Sequence, residues 1–559
     1  MHDFIALTYV PELIDCVSWI DNLIGAVLDV SLIMLIFILL TKGKIKASLA
    51  ITFTITLLWA YCNIFYCRFF QSYISFSTIC QGGNLLDPIV IRSISQGFRW
   101  YDLFLFLWIA SFIFFFKQGS TGEYSNMKTR ISSVIILLIS FFLFIDLAAH
   151  GLYCLANSNY RYLSYYGHRL YSRHLSKTTA LCDPIITTFH RGSIRMLISE
   201  GYDELKGVIE LSEKQIRTIK QTAQESQAYM VYTNNGKTPQ TTPNIIFIIV
   251  ESYMAFTSDM VVDDKEITPN LNALRHDSTT YYNGKMQPNI TLGESADGQF
   301  IYMTGLLPLR SSITISKARN RTLPGLPKIL AKQGYSSNMI IPTQPTMWNQ
   351  SEMCQKYGFN NLYSCNDYEN DNTSELTDKQ VFELAKKHLP ISANKPFISV
   401  ILTMSMHQPY IEFIDPSFIL QEPSFSNELK CYLNACHYTD QCIGNFLSYL
   451  KTVDLYDKSV IIITADHHQH YVGFGAEINN NLPLYIIGGN IDNKTSWHGL
   501  CQQIDVYPTI LDILGFHSTW CGLGYSLLSP KYNNSLENYK WEVSEWIIQG
   551  DYFSLVSTK

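Results

Sequence analysis

Charged residues are scarce in this sequence of 559 residues: Asp, Glu, Lys and Arg make up 16%, against about 25% in an ordinary soluble protein. Hydrophobic residues make up 47%, which excludes a disordered chain and disfavours a purely soluble one. The formal net charge is −6 and no run of Lys or Arg is present, so we expect no nucleic-acid partner. Internal repeats and low-complexity tracts are also absent. What remains is a membrane segment joined to a globular region.

The long apolar stretches lie before residue 155, and four of them approach the roughly 20 residues that a membrane-spanning helix needs. They are residues 22–41, 47–67, 103–116 and 131–155. The third stretch reaches spanning length only when it is extended through Tyr101. We therefore predict a transmembrane bundle of about four α-helices in residues 1–155. A buried helical bundle of a soluble protein is the alternative.

Basic residues in the loops between these stretches predict the orientation of the bundle. The loop after the first stretch and the loop after the third each carry three of them: Lys42, Lys44 and Lys46, then Lys117, Lys128 and Arg130. Because positively charged loops stay in the cytoplasm, everything after the fourth helix should lie outside it. The acidic N-terminal residues do not form the basic region of a cleaved signal peptide. We therefore expect the helices to remain as a multi-pass anchor.

The sequence pattern changes twice after the membrane segment. Residues 156–240 should form a connector, in which 201–231 has charges at helical spacing and a polar linker follows. From residue 243, short apolar runs alternate with helical segments; the runs are 244–250, 335–341, 397–403, 459–465 and 484–487. Continuous apolar strands alternating with helices predict an α/β domain whose mainly parallel sheet is covered on both faces. We place this domain at 241–530 and leave 531–559 as a tail.

Cysteines are spread over both parts of the chain, and eight of the 13 follow the predicted membrane helices. An oxidising compartment outside the cytoplasm would permit disulfides there, although their pairing cannot be deduced from sequence. Cys431, Cys436 and Cys442 lack the spacing of a zinc site.

Polar side chains follow the predicted strands at the points where the strands end. Glu251 ends the first run, His407 follows the third, and Asp466 and His467 follow the fourth; the hydroxyl-rich segment 289–300 lies between the first two. Ligands of open α/β sheets bind beyond the carboxyl ends of the strands. Two carboxylates, an imidazole and a hydroxyl would suit Mn²⁺, Zn²⁺ or Mg²⁺. Taken singly, such a carboxylate is also a common helix N-cap.

Several motifs make the sequence resemble a known family. The soluble part contains NIIFIIVES, GESADGQF, MWNQ, MSMHQPY, LYDKSVIIITADHH and QQIDVYPTILDILG, and the membrane part contains YCRFF (66–70), FST (76–78) and RWYD (99–102). In order and spacing, from about residue 20 to 530, the chain resembles the bacterial lipoteichoic acid synthase and phosphoglycerol/phosphoethanolamine transferase family. That family belongs to the alkaline-phosphatase/sulfatase superfamily, so the resemblance implies a sulfatase-like α/β domain.

The resemblance implies one divalent metal ion. Mn²⁺ is the first candidate for its identity, and Zn²⁺ and Mg²⁺ are the alternatives. Its ligands would be Glu251, Ser295, Asp466 and His467, with Ser295 as the catalytic nucleophile. The substrate phosphate would lie against Trp348, Gln350, His407 and, as a further candidate, His498. His407 would bind phosphate oxygens or protonate the leaving oxygen.

The sequence departs from the family pattern in four places. Ser295 replaces a threonine, which keeps the hydroxyl nucleophile. Gln350 replaces an arginine and Thr343 an acidic residue, which removes fixed charges from the headgroup pocket. The first membrane helix of the synthases has no counterpart. The segment after Ser295 also lacks the proline and arginine that sulfatases need to mature formylglycine, which argues against a sulfate ester hydrolase.

The resemblance implies a transferase in a bacterial plasma membrane, with its catalytic domain outside the cytoplasm. It would move a phosphoglycerol or phosphoethanolamine headgroup from a membrane phospholipid to a glycan or polyol acceptor through a phospho-Ser295 intermediate. Two alternatives stay open: a phosphodiesterase or phosphatase that hydrolyses the same ester, and a non-catalytic membrane scaffold that keeps only the fold.

Overall fold

The computed structural model describes residues 29–82, 197–201, 207–231 and 242–557, apart from short gaps of which 470–478 is the longest. The chain divides into two units, the first formed by Met1–Ile79 and Ile94–Leu205 and the second by Cys80–Ser93 and Lys206–Lys559. The predicted spans at 103–116 and 131–155 lie outside the described residues.

The described part of the first unit is helical. Helix α1 (Ile45–Phe70) is followed by the short helix α2 (Phe76–Cys80), and residues 33–40 are also helical. Within α1, Ala47–Tyr66 is long and apolar enough to cross a membrane, and 28% of its most apolar window is buried. It coincides with the second predicted span. The multi-pass arrangement stays a prediction.

The second unit is built on an eight-stranded sheet. In chain order its strands are β1 (Asn244–Val250), β4 (Thr280–Gln287), β5 (Ser336–Ile340), β6 (Asn361–Tyr363), β7 (Phe397–Leu402), β8 (Ser459–Ala465), β9 (Leu482–Ile487) and β10 (Cys501–Gln502), and the separate pair β2 (Val261–Val262) and β3 (Lys265–Glu266) forms a hairpin. The order across the sheet is β10-β4-β9-β8-β1-β7-β5-β6. Only the pairs β4–β9 and β8–β9 are antiparallel within it. The predicted mainly parallel sheet is therefore confirmed.

Helices cover this sheet because its central strands are apolar on both faces. Six of the seven residues of β1 and all of β7 and β8 are buried, as parallel strands require. The helices are α3 (Glu213–Ala228), α4 (Pro269–His276), α5 (Ser295–Thr304), α6 (Thr314–Ala318), α7 (Leu326–Ala331), α8 (Gln350–Tyr357), α9 (Asp378–His388), α10 (Asn427–Thr452), α11 (Val506–Ile513), α12 (Asn538–Gln549) and α13 (Tyr552–Ser557).

The second unit extends beyond residues 241–530 at both ends. Helix α3 of the predicted connector begins with a capping box at Ser212, and its Glu225 accepts a hydrogen bond from Tyr539 of α12 at 2.8 Å. The amide of Ile209 donates to the carbonyl of Gln549 at 3.0 Å. Val543, Ile547 and Ile548 of the predicted tail are almost fully buried. Residues of the predicted connector and tail therefore pack together within the second unit.

Six of the buried cysteines among the described residues of the second unit carry free thiols. They are Cys354, Cys431, Cys436, Cys442, Cys501 and Cys521. Burial raises the pKa of the Cys354 thiol to about 12, so at neutral pH it is protonated and packs as a small apolar side chain.

The packing of the tail gives a first prediction. Replacing Ile548, which is 1% exposed in α12, by alanine should lower the free energy of unfolding by about 2–5 kcal/mol, because it removes buried methylene groups and leaves a cavity. Leu555→Ala is the control, since Leu555 is 42% exposed in α13 and should change stability by no more than about 0.5 kcal/mol. Calorimetry on the purified chain measures both. Equal melting temperatures for the two variants would show that the tail does not stabilise the unit.

Candidate metal centre

The candidate site forms where two adjacent parallel strands end. Strands β1 and β8 pair in a register that sets Val250 opposite Ala465, so the next residues along each strand, Glu251 and Asp466, emerge side by side. Asp466 Oδ1 accepts hydrogen bonds from the amides of Ser252 at 2.9 Å and His467 at 2.8 Å. The paired backbones therefore hold both carboxylates at the same sheet edge.

Glu251, Asp466 and His467 offer ligand atoms that all lie within 4.8 Å of one another. His467 Nε2 is 3.3 Å from Glu251 Oε1 and 3.8 Å from Asp466 Oδ2, and all three residues are buried. Ser295 Oγ donates to Glu251 Oε2 at 3.1 Å and lies 3.1 Å from His467 Nε2. The structure thus brings the four predicted ligands together, and two carboxylates, an imidazole and a hydroxyl fit a divalent cation.

The ionisation of the three acidic and basic groups is strongly coupled. Burial and the adjacent Glu251 carboxylate raise the pKa of Asp466 to about 7. Burial also opposes the charged form of Glu251, but the hydrogen bond and charge of His467 outweigh it and lower the pKa of that carboxyl. Burial disfavours the His467 cation, yet Asp466 and Glu251 raise the pKa of the imidazole well above its ordinary value. Without a cation, protons compensate the buried negative charge.

Ser295 is positioned by the turn that begins α5. Asp297 Oδ2 accepts hydrogen bonds from the amides of Thr291 at 3.0 Å and Gly293 at 2.9 Å, which closes the turn before the nucleophile. Burial raises the pKa of the Asp297 carboxyl to about 6. Gly298, one turn into α5, lies against the Asp466 backbone, since a Cβ atom there would come within 2.3 Å of the Asp466 carbonyl oxygen.

Both histidines of the predicted site are oriented by the carbonyl that follows them. His467 Nδ1 lies 2.6 Å from the carbonyl oxygen of His468, and His407 Nδ1 lies 2.6 Å from that of Gln408. Each Nδ1 therefore carries a proton, and for His467 this turns Nε2 toward Ser295 and Glu251. His407 also contributes to the lowered pKa of the Glu251 carboxyl.

The loop that carries His407 is held by a residue that sequence reasoning missed. Asp378, fully buried at the start of α9, accepts hydrogen bonds from the amides of Met404 at 2.7 Å and Ser405 at 2.8 Å. Its second oxygen accepts from Thr439 of α10 at 2.6 Å. Asp378 lies far from the strand ends in sequence, and no motif marked it.

Two predicted substrate residues lie at the start of α8. Trp348 is half-buried and has a left-handed backbone, with φ 49° and ψ 29°. Gln350 is buried and its Nε2 donates to Oε1 of Gln299 at 2.9 Å. Gln299 lies four residues after Ser295 in α5, so Gln350 contacts the helix that begins at the nucleophile. Their roles in substrate binding stay predictions.

His498 is placed differently from the other predicted residues. Its Nδ1 lies 3.1 Å from the carbonyl oxygen of Tyr282, and its Nε2 lies 2.9 Å from that of Asn493. A role of His498 in binding substrate stays a prediction.

Sequence reasoning also missed side chains that support the ligands. Ser252 Oγ donates to Glu251 Oε1 at 2.8 Å, and Gln503 Nε2 donates to the Asp466 carbonyl oxygen at 2.6 Å. Tyr302 donates to the carbonyl oxygen of Ala465, also at 2.6 Å. Ser252 and Gln503 lie within the recognised motifs, which is the signal that could have identified them.

Comparison with known proteins assigns the class. Residues 243–516 match the sulfatase family model, so the second unit is a sulfatase-like α/β domain of the alkaline-phosphatase type. Residues 5–163 match the lipoteichoic acid synthase N-terminal domain.

Curated relatives extend this match over most of the chain. It is 28% identical over 552 residues to lipoteichoic acid synthase 2 of Bacillus subtilis, covering 91% of this chain and 79% of the relative. It is 26% identical over 511 residues to lipoteichoic acid synthase of Staphylococcus aureus, covering 85% and 73%. The predicted resemblance to the lipoteichoic acid synthase family is confirmed in both parts of the chain, and the predicted enzyme class, a sulfatase-like phosphotransferase, is confirmed as well.

Solved structures similar to the chain include the lipoteichoic acid synthase LtaP from Listeria monocytogenes, at 18% identity and a TM-score of 0.47, covering 57% of this chain and 93% of that one. Another is the phosphoglycerol transferase GacH of Streptococcus pyogenes in complex with sn-glycerol-1-phosphate, at 17% identity and a TM-score of 0.44, covering 62% and 95%.

The contact between α5 and the Asp466 turn gives a second prediction. Gly298→Ala should abolish cation binding, because the added methyl group cannot occupy the space held by the Asp466 carbonyl oxygen. Gly334→Ala is the control: its methyl group meets nothing within 4 Å, although its φ of +87° costs about 1 kcal/mol of stability. Elemental analysis of the purified variants measures the bound metal. Full metal content in Gly298→Ala would show that this close approach does not shape the site.

Proposed function

We propose that the chain is a membrane-anchored, metal-dependent transferase of the bacterial cell envelope. It moves a phospho-headgroup from a membrane phospholipid to a glycan or polyol acceptor outside the cytoplasm. The observation that carries this proposal is the position of Ser295 Oγ, 3.1 Å from both Glu251 Oε2 and His467 Nε2. A hydroxyl held between a carboxylate and an imidazole at a sheet edge is placed to act as a nucleophile.

One divalent cation would be held by Glu251, Ser295, Asp466 and His467, with Mn²⁺ first and Zn²⁺ or Mg²⁺ as alternatives. The buried carboxylates supply the negative charge that such an ion needs, and the imidazole supplies a nitrogen ligand. When bound, the cation would lower the pKa of the Ser295 hydroxyl and stabilise negative charge on the substrate phosphate.

The reaction proceeds by two displacements at phosphorus. Ser295 Oγ forms a bond to the headgroup phosphorus while the bond from phosphorus to the diacylglycerol oxygen breaks. Glu251 Oε2 accepts a hydrogen bond from the Ser295 hydroxyl in the structure, so it is placed to take the proton of that hydroxyl. The diacylglycerol oxygen leaves with the bonding electrons and is protonated by a nearby acid, for which His407 is the candidate. In the second displacement the oxygen of an acceptor hydroxyl forms a bond to phosphorus while the bond from phosphorus to Ser295 Oγ breaks. The acceptor proton passes to His407, and Glu251 returns its proton to Ser295 Oγ. This sequence predicts ping-pong kinetics.

The headgroup would bind beside the start of α8. Trp348 offers a half-buried aromatic surface there, and Gln350 is an uncharged amide that contacts Gln299. A neutral pocket accepts either the phosphoglycerol or the phosphoethanolamine type, because it neither attracts an anionic headgroup nor repels an ammonium group. The membrane helices would keep the donor lipid within reach of the site.

Ser295→Ala tests the role of the nucleophile. Transfer of labelled headgroup from a phospholipid should fall by at least about 10³-fold, because the variant lacks the hydroxyl that attacks phosphorus, while the melting temperature stays near that of the wild type. Ser448→Ala, at an exposed serine of α10, is the matched control and should retain full activity. Transfer at the wild-type rate by Ser295→Ala would remove Ser295 from this role.

The same labelled donor separates transfer from hydrolysis. Label that appears in a glycan or polyol product supports the transferase, whereas label released only as free headgroup phosphate identifies a hydrolase acting on the same ester.

Gln350→Arg tests the headgroup pocket. The guanidinium would add a fixed positive charge beside the phosphate and repel an ammonium group, so preference should shift about tenfold from phosphoethanolamine toward phosphoglycerol donors. Gln350→Met, which keeps the size without the charge, controls for repacking at this buried position. The ratio of rates with the two phospholipids measures the shift. An unchanged ratio in Gln350→Arg would place the headgroup elsewhere.

A further inference from the structure

We propose that Glu294 is a positioning residue that strengthens divalent-cation binding by acting on the imidazole of His467. This inference rests on the proposed function, because it assumes that His467 is a cation ligand. Glu294 directly precedes the nucleophile in the sequence, and it does not belong to the four predicted ligands.

The two ring nitrogens of His467 face different groups. Its Nε2 faces Ser295 Oγ at 3.1 Å and Glu251 Oε1 at 3.3 Å. Its Nδ1 faces the His468 carbonyl oxygen at 2.6 Å and the Glu294 carboxylate, whose Oε2 lies 3.8 Å away. The imidazole therefore lies between the ligand cluster and a second negatively charged group.

Burial strengthens the interaction between the Glu294 carboxylate and the His467 imidazole. The side chains of Glu294 and His467 are 10% and 8% exposed, so water screens their interaction far less than at the surface. The His468 carbonyl oxygen fixes the ring orientation, and a carboxylate 3.8 Å from Nδ1 stabilises positive charge on the imidazole, which raises its basicity as a ligand. Glu294 also adds a negative charge to a cluster that would hold a cation.

Helix capping does not account for the acidic side chain at position 294. Glu294 is the N-cap residue of α5, where a side chain commonly accepts a hydrogen bond from the first turn. Its side chain makes no such capping hydrogen bond. The carboxylate lies instead beside His467.

Backbone strain is a second, independent observation. Glu294 has φ 47° and ψ −119°, a conformation that residues with a Cβ atom rarely adopt and that glycine adopts freely. Glycine at position 294, directly after Gly293, would adopt this conformation without strain. Strain of this kind persists at functional sites where a side chain is needed. Glu294 therefore retains its side chain at a cost in stability.

The decisive variant is Glu294→Gln, which keeps the shape and the strain but removes the charge. The dissociation constant for Mn²⁺, measured by calorimetric titration of the purified full chain, should rise about tenfold or more, while the melting temperature of the metal-free chain changes little. Glu213→Gln, which removes the same charge from an exposed position of α3, should leave the dissociation constant unchanged. A wild-type dissociation constant in Glu294→Gln would overturn the inference.

Glu294→Gly tests whether the backbone strain at residue 294 lowers the stability of the chain. Without added cation it should melt at a higher temperature than the wild type, because the strain is removed, and yet bind Mn²⁺ at least about tenfold more weakly. A metal-free Glu294→Gly chain that melts below the wild type would overturn the claim that this residue is strained for the sake of its carboxylate.

Asp466→Asn distinguishes this inference from the proposed function. If the wild type binds Mn²⁺ and Asp466→Asn does not, the metal centre stands, and the Glu294 variants alone decide the inference. If the wild type and Asp466→Asn give the same titration with no binding, the metal centre itself fails and the inference fails with it.

Discussion

Two carboxylates that are buried side by side repel each other, and the arrangement around Glu251 and Asp466 follows from that repulsion. Their separation is imposed by the parallel pairing of β1 and β8, which leaves neither side chain free to turn to solvent. His467 lies between them and offsets part of the charge. A divalent cation would offset it more completely, because it brings two positive charges into a space that excludes water.

The surrounding side chains serve mainly to keep this charged cluster in place. Gln503 and Tyr302 hold the backbone carbonyls of Asp466 and Ala465, while Gly298 lets α5 approach the same turn. Each of these contacts acts on the backbone rather than on the ligand atoms. We therefore expect a metal ion to bind without reorganising the backbone that carries the ligands.

Much of the site could be predicted because it depends on local sequence. The continuous apolar runs of β1, β7 and β8 identify buried parallel strands, and the residues that follow them must meet at one edge. Strand β4 was missed because its exposure alternates and it pairs antiparallel to β9. The packing of α12 on α3, and the contact of Gln350 with Gln299, depend on residues distant in sequence. Glu294 was missed because its backbone conformation is invisible in a sequence.

The six buried thiols bear on how the second unit can be handled. Cys354, Cys436 and the other four thiols are free, so reducing agents break no disulfide among them. As far as these six cysteines are concerned, the second unit would fold equally well in a reducing cytosol. The thiolate is the form of cysteine that attacks an alkylating reagent, and the raised pKa values suppress the thiolate in the folded chain. Alkylation of these six cysteines therefore reports transient opening of the core, residue by residue, without any introduced label.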